Sequence, residues 1–337
     1  MYHVRETTDI WPAFDLIDDE REVRVRVVPA RGGLVTTWEV QGQSLLYLDP
    51  ETYADPQKNV RGGIPILFPI CGRLKDDTYW IGNREYHMPQ HGLARHLPWR
   101  VLSAGVSVGA GTGAGAGGPG MSIAADADAG ADVNTGSGTE EGAFLRLCLE
   151  SDQETRASFP FDFRLEFEYR LSGNELAILQ TYHNFSQEQM PLYPGLHPYF
   201  AAASKHRWQF RVPAEHCHDL LTGQPREVSE APDWQAAEQN FIYSGLSGQF
   251  AAMHRDDGTA ISIGYSREYR RLVFWTLGNK PFICLEPCVA VGNLLDKGTI
   301  GDGGGAGASG APLWVGPGGH LNLEVHFIFH HDGRKPS

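Results

Sequence analysis

Apolar and polar residues alternate along much of this chain. Phe163, Leu165, Phe167, Tyr169 and Leu171 are interleaved with Arg164, Glu166, Glu168 and Arg170. In an extended backbone this puts the apolar set on one sheet face and the charges on the other. Leu321, Leu323, Val325, Phe327 and Phe329 repeat the pattern near the C-terminus, and Val23, Val25 and Val27 near the start. Further β-rich runs cover Glu175 to Tyr182, Ala260 to Tyr265, Arg271 to Leu277 and Phe282 to Leu285. Helical periodicity is scarce, and one short helix is expected around Trp234 to Asn240. The pattern predicts an all-β chain of antiparallel sheets, each buried on one face.

One hairpin is legible residue by residue. Asp77 to Ile81 and Arg84 to Met88 flank Gly82-Asn83, a pair whose tolerance of positive φ suits a two-residue β-turn. The chain leaves this hairpin through Pro89-Gln90-His91-Gly92. Proline ends the strand and glycine permits a sharp turn, so His91 is expected on a loop at the sheet's rim. Residues 104–142 and 301–311 are dominated by small residues and bury too little apolar surface to offset chain entropy. They are expected to be surface insertions in a single domain spanning residues 1–337. Each insertion contains a G-x-G-x-x-G match, Gly113-Gly115-Gly118 and Gly305-Gly307-Gly310. Neither has both the preceding strand and the following helix that a dinucleotide site needs, so composition accounts for them.

Bulk properties narrow the field of partners. Of 337 residues, 41% are hydrophobic, enough for a packed core, and the formal net charge is −13. Such a charge repels nucleic-acid backbones and anionic membrane surfaces, so neither is expected as a partner. No apolar run approaches the roughly 18 residues of a membrane span. Met1 to Glu20 carries several acids and no apolar core, unlike a secretory leader. Five scattered cysteines do not form a disulfide framework and fit a reducing compartment. The expectation is a cytoplasmic protein.

Candidate chemistry is sparse. The closest potential metal ligands are His216-Cys217-His218 and the pair Cys284 and Cys288, and neither has a second half at a usual zinc spacing. No metal and no cofactor are expected. Glu286 follows the apolar Phe282-Ile-Cys-Leu285 and precedes Pro287. A buried carboxylate there would need a partner; alternatively it leaves the sheet into water or meets an arginine. His197 lies in Tyr193-Pro-Gly-Leu-His-Pro-Tyr-Phe200, where it is either a packed polar residue or a catalyst.

Context changes the weight of these residues. Asn59-Val-Arg-Gly-Gly-Ile-Pro-Ile-Leu-Phe-Pro-Ile-Cys-Gly-Arg-Leu-Lys-Asp-Asp-Thr-Tyr79, then Pro89-Gln-His-Gly-Leu-Ala-Arg95, then Gly195-Leu-His-Pro-Tyr-Phe200 and Cys284-Leu-Glu-Pro287 occur in this order. The set resembles the aldose 1-epimerase superfamily, across most of the chain outside the two insertions. The resemblance implies a galactose mutarotase-like supersandwich, a large antiparallel β-sandwich with a sugar cleft. It implies an isomerase that interconverts the α and β anomers of an aldohexose without a cofactor. By the same resemblance Glu286 is the general base on the anomeric hydroxyl, His197 the general acid towards the ring oxygen, and His91 a group that polarises that end of the sugar. An ionised Glu286 beside a protonated His197 is the working state expected of such a pair. Leu93 and His96 depart from the family, which often has an aromatic residue and Asp there.

Three arginines bear on the substrate. Arg61-Gly-Gly-Ile-Pro65 is similar to the branch acting on hexose 6-phosphates, in which Arg61 and Arg95 would fork around a phosphate. Phe68-Pro-Ile-Cys-Gly-Arg-Leu74 is similar to the branch acting on free aldoses, in which Arg73 would reach sugar hydroxyls. Any of the three also suits a surface salt bridge. The motifs together lean slightly to an unphosphorylated aldohexose, with hexose-6-phosphate 1-epimerase as the alternative. A carbohydrate-binding protein without turnover would not need a base at the anomeric carbon. A glycoside-processing enzyme would need a second carboxylate, and only Glu286 has a motif behind it.

Overall fold

Strict alternation does build sheets. The computed structural model describes residues 1–107, 141–291 and 310–331. Two eight-stranded antiparallel sheets dominate, with a five-stranded N-terminal sheet and two two-stranded ribbons. The first large sheet runs in the order Gln209–Arg211, Phe250–His254, Thr259–Tyr265, His320–His331, Glu175–Asn184, Phe163–Ser172, Gly142–Glu150, Arg100–Ser107. The second runs Pro225–Arg226, Ala214–Asp219, Glu238–Leu246, Arg271–Leu277, Phe282–Cys288, Gly195–Leu196, Ile66–Leu67, and Tyr199–Ala201 also pairs with Phe282–Cys288. Among the described residues no helix is long and apolar enough to cross a membrane.

The alternating residues Phe163, Leu165, Phe167, Tyr169 and Leu171 are all buried. Phe68 packs on Phe163 at 5.0 Å and Phe200 on Phe327 at 6.1 Å, so the core lies between the two large sheets. Phe282–Cys288 obeys the same period of two. Ile283 and Leu285 enter this core, while Phe282, Cys284, Glu286 and Cys288 project from the opposite face. That opposite face carries the chemistry.

Two expectations change. Trp234 to Ala237 is a turn, and strand Glu238–Leu246 begins where the helix was expected. Asn240, Phe241, Ile242 and Tyr243 pair with Arg271–Leu277, and the Gln239 side chain clips the turn through both main-chain groups of Asp233. Sheet pairing outweighs local propensity there. Helices form instead at Pro50–Ala54, capped by Asp49, and at Gln153–Ser158, where Asp152 and Thr155 make a capping box. The first insertion is shorter than 104–142. Strands Arg100–Ser107 and Gly142–Glu150 extend into it from both sides until Ser107 pairs with Gly142, because main-chain pairing needs no large side chains. Its interior, and most of 301–311, lie outside the described residues, as does the first glycine match and most of the second.

The Gly82-Asn83 hairpin forms as read, between Thr78–Ile81 and Arg84–His87.

Candidate active site

Register assembles the site. Gly195 is the cross-strand partner of Cys288, and Tyr199 is the partner of Cys284. Between these pairs the ladder opens, and the same antiparallel register carried through the gap sets His197 opposite Glu286. Pro287 lacks an N–H, and it falls where the neighbouring strand is interrupted, so no ladder bond is lost. His197 Nε2 and Glu286 Oε1 are 3.3 Å apart, and both side chains are more than nine-tenths buried. Glu286 therefore does not emerge into water, and it meets no arginine among the described residues.

The loops around the pair are tied by backbone. His197 N–H donates to the Pro65 carbonyl at 3.1 Å, and Tyr199 N–H to that of Gly63 at 2.9 Å, zipping the Arg61-Gly-Gly-Ile-Pro65 motif against the His197 loop. Gly92 has φ +76°, and a Cβ there would lie 2.1 Å from the Phe68 carbonyl oxygen. Only glycine lets the His91 loop close on Phe68-Pro69, whose peptide is cis. His91 itself has φ +66° and exchanges two bonds with Gly72. Its N–H donates to the Gly72 carbonyl at 2.7 Å, and its Nδ1 accepts from Gly72 N–H at 3.0 Å. Nδ1 is thus the acceptor and Nε2 carries the proton. The His91 and His197 rings meet edge-on, 5.5 Å between centroids.

The electrostatics run against an ionised pair at rest. Burial, and then Cys288, hold the Glu286 carboxyl well above the usual carboxylate range. Burial, and then Arg95 and Arg61, push His197 down to about 3. His91 is lowered by burial, His197 and Arg95 and stays neutral. The expected Glu⁻/His⁺ state is therefore not the resting one; both environments favour the neutral forms, with one proton held by the pair. His197 Nδ1 is buried without a hydrogen-bond partner among the described residues.

The arginines separate into two groups. Arg61 is exposed, and its guanidinium lies 5.8 Å from the Trp275 ring centroid. Arg95 is half-buried, and burial with Arg61 nearby lowers it to about 10. Neither makes a salt bridge with an acid among the described residues. Arg95 instead donates from Nε to His96 Nε2 at 3.2 Å. His96 is held neutral, lowered to about 4 by burial, Arg95 and Arg31. Arg73 points elsewhere, 68% exposed and paired with Asp77 at 3.3 Å.

Sequence reasoning passed over the site's aromatic wall, and it weighed Cys284 only with Cys288 as a metal ligand. Tyr199 stacks on His197 at 4.6 Å, Trp275 meets His197 edge-on at 5.7 Å, and Cys284 shares the face of Glu286. The period of two through Phe282–Cys288 places Cys284 on the face of Glu286; Trp275 lies many strands from His197 in sequence, and no local signal marks it. His216 and His218 are exposed on strand Ala214–Asp219, away from this cluster.

The family model for aldose 1-epimerase matches residues 16–109 and 133–295. The chain belongs to the aldose 1-epimerase family. It is accordingly an isomerase of that type. The Slr1438 protein of Synechocystis sp. PCC 6803 is 32% identical with a TM-score of 0.79, over 98% of this chain and 100% of that one. A galactose mutarotase-like protein of Clostridium acetobutylicum shares the fold at 17% identity and TM-score 0.70, over 97% and 98% of the two chains. A protein of Cenchrus ciliaris named "Putative glucose-6-phosphate 1-epimerase" is 41% identical over 71 residues, which is 21% of this chain and 18% of that protein.

Proposed function

We propose that this aldose 1-epimerase family member interconverts the α and β anomers of an aldohexose 6-phosphate. The anomeric hydroxyl oxygen and the ring oxygen are both bonded to C1, so the groups that serve them must be neighbours. Glu286 and His197, 3.3 Å apart, satisfy that demand. Glu286 removes the O1 proton while His197 delivers one to O5. The C1–O5 bond breaks, the aldehyde turns about C1–C2, and closure on the other face returns both protons. No electrons are exchanged. Each positioned acid or base is typically worth about 10² to 10⁴ in rate. His91, neutral with its proton on Nε2, is a fixed donor for the same end of the sugar.

The observation that carries the phosphate is the uncompensated cationic pair. Arg61 and Arg95 have no acidic partner among the described residues, and neutral His96 stands where the family often has a carboxylate. In a chain of net charge −13 that local excess suits a dianion, and a guanidinium fork matches phosphate oxygens. The same arginines depress His197, so a bound phosphate would relieve that effect and move the pair's proton towards His197, the acid's working state. Arg73, engaged with Asp77, offers the free-sugar reading less support.

Mutarotation of glucose, galactose and their 6-phosphates tests this. Charge-assisted bonds contribute about 1.5–3 kcal/mol each, so kcat/KM should favour the best 6-phosphate over its free sugar by at least about 10². Equal or reversed preference returns the protein to free aldoses. No turnover of any of the four, with sugar binding intact, makes it a binding protein.

A further inference from the structure

We propose that His197, Cys284 and Glu286 form a binding site for one soft or borderline divalent cation, such as Zn²⁺ or Cd²⁺, and that its occupation blocks catalysis. The inhibitory consequence rests on Glu286 and His197 being the catalytic pair; the site itself stands on geometry. One ligand atom from each residue lies within 4.8 Å of the other two, and all three side chains are buried. Zinc holds imidazole nitrogen and carboxylate oxygen at about 2.0–2.2 Å, and tetrahedral angles then set those two atoms roughly 3.3 Å apart. His197 Nε2 and Glu286 Oε1 are already 3.3 Å apart. Zinc–sulfur bonds of about 2.3 Å require the thiol within roughly 3.5 Å of each neighbour, a closure of little more than 1 Å at most.

Charge favours the same residues. Binding expels the thiol proton of Cys284 and the proton held by the Glu286–His197 pair. The product joins a dication to one thiolate, one carboxylate and a neutral imidazole, so no net charge is buried. Thiolate and imidazole together select zinc-like ions over magnesium or calcium. Three protein ligands leave a fourth position open, beside the place where C1 of the sugar would lie. Cys284 takes no part in the proposed proton transfers and is free to be replaced.

Cys288 is the rival ligand. It projects from the same face two residues beyond Glu286, and it packs in one buried cluster with Cys71.

Titration of the purified full-length protein with CdCl₂, followed by thiolate-to-cadmium charge-transfer absorbance and by calorimetry, decides between them. One equivalent should bind. Outer-shell changes alone cost about 10- to 100-fold in metal affinity, so Cys284→Ala should weaken binding at least about a hundredfold. Cys288→Ala should leave it within a few fold. Cys284→Ser, closer in volume, should behave as Cys284→Ala does and guards against a packing defect. Wild-type mutarotation should fall with cadmium and return on chelation, while Cys284→Ala keeps its rate and resists the ion. Undiminished binding in Cys284→Ala, or loss only in Cys288→Ala, overturns the site. Binding that depends on Cys284 yet leaves turnover untouched keeps the site and instead overturns Glu286 and His197 as the reacting pair.

Discussion

Replacing Glu286 with Gln should damage catalysis and improve stability at once. The amide matches the carboxyl in shape and keeps the 3.3 Å contact with His197, but it cannot take a proton from the anomeric hydroxyl. A lost general base costs about 10² to 10⁴ in kcat, or roughly 2.7–5.4 kcal/mol on the barrier. Stability moves the other way. Burial raises the folded pKa of Glu286 above its ordinary 4.5. Above that pH the unfolded chain releases a proton that the folded one keeps. The group's contribution is therefore full below about pH 4.5 and is lost as pH rises towards the folded value. Glutamine has no such loss. Melting temperatures of the two proteins should coincide near pH 4, and the variant should be higher by on the order of 2–5 °C at pH 7.5.

Polarimetry on fresh α-anomer and thermal melts at both pH values read the two effects separately. Near-wild-type turnover in a folded Glu286→Gln protein sinks the base assignment. A melting temperature that falls at pH 7.5 means that the resting pair is ionised, and that mutual attraction rather than burial governs it.

Three other outcomes are expected. His96→Asp should supply the missing countercharge to Arg95, raising KM for a hexose 6-phosphate by about tenfold or more with little change in kcat or in KM for the free sugar; equal effects on both substrates count against the phosphate site. Burial lowers His326, but hydrogen bonds to Glu175 and Glu324 more than offset it and raise it to about 9, so its contribution is full below about pH 6.5 and fades as pH rises through 9. His326→Gln should accordingly cost about 1.5–3 kcal/mol at pH 6 and much less at pH 10, and a pH-independent loss in denaturant melts would refute the linkage. Replacing residues 108–141 by Asn-Gly should close the Ser107–Gly142 pair as a tight hairpin, leaving kcat/KM within about threefold; a melting temperature lower by more than roughly 8 °C would show that the segment packs on the sheet.

What the sequence made legible was local. A period of two announced the strands because burial on one sheet face is all it requires, and Phe163 to Leu171 are buried in that alternation. Gly82-Asn83 announced its hairpin because few residues tolerate that turn. Pairing between distant strands leaves no such local mark, so Glu238–Leu246 was mistaken at its start for a helix, and Arg100–Ser107 was cut short by its small residues. The β-rich run was expected only as far as Leu285, yet the strand continues to Cys288 and is not ended by Pro287. Pro287 ends only the hydrogen bonding on one side, at the gap where the opposing chain carries His197 out of the ladder.

Glu286, His197 and His91 do lie together and Arg73 does not join them, yet the pair's protonation was not readable, because it depends on burial and on charges brought in from elsewhere. Glu286 and His197 each come from an apolar stretch. Packed together, they lose water, and both are driven towards neutrality. Arg61 and Arg95 arrive from two separate loops and press His197 further the same way, which by itself would disarm an acid. On the proposed reading, the arrangement would become productive when something negative sits between the arginines. A substrate that carries its own anion would complete the site electrostatically, whereas a neutral sugar would fill the same cleft and leave His197 poorly charged. Discrimination would then appear in kcat as well as in KM, because the phosphate would act on the state of the acid and not only on the grip of the cleft.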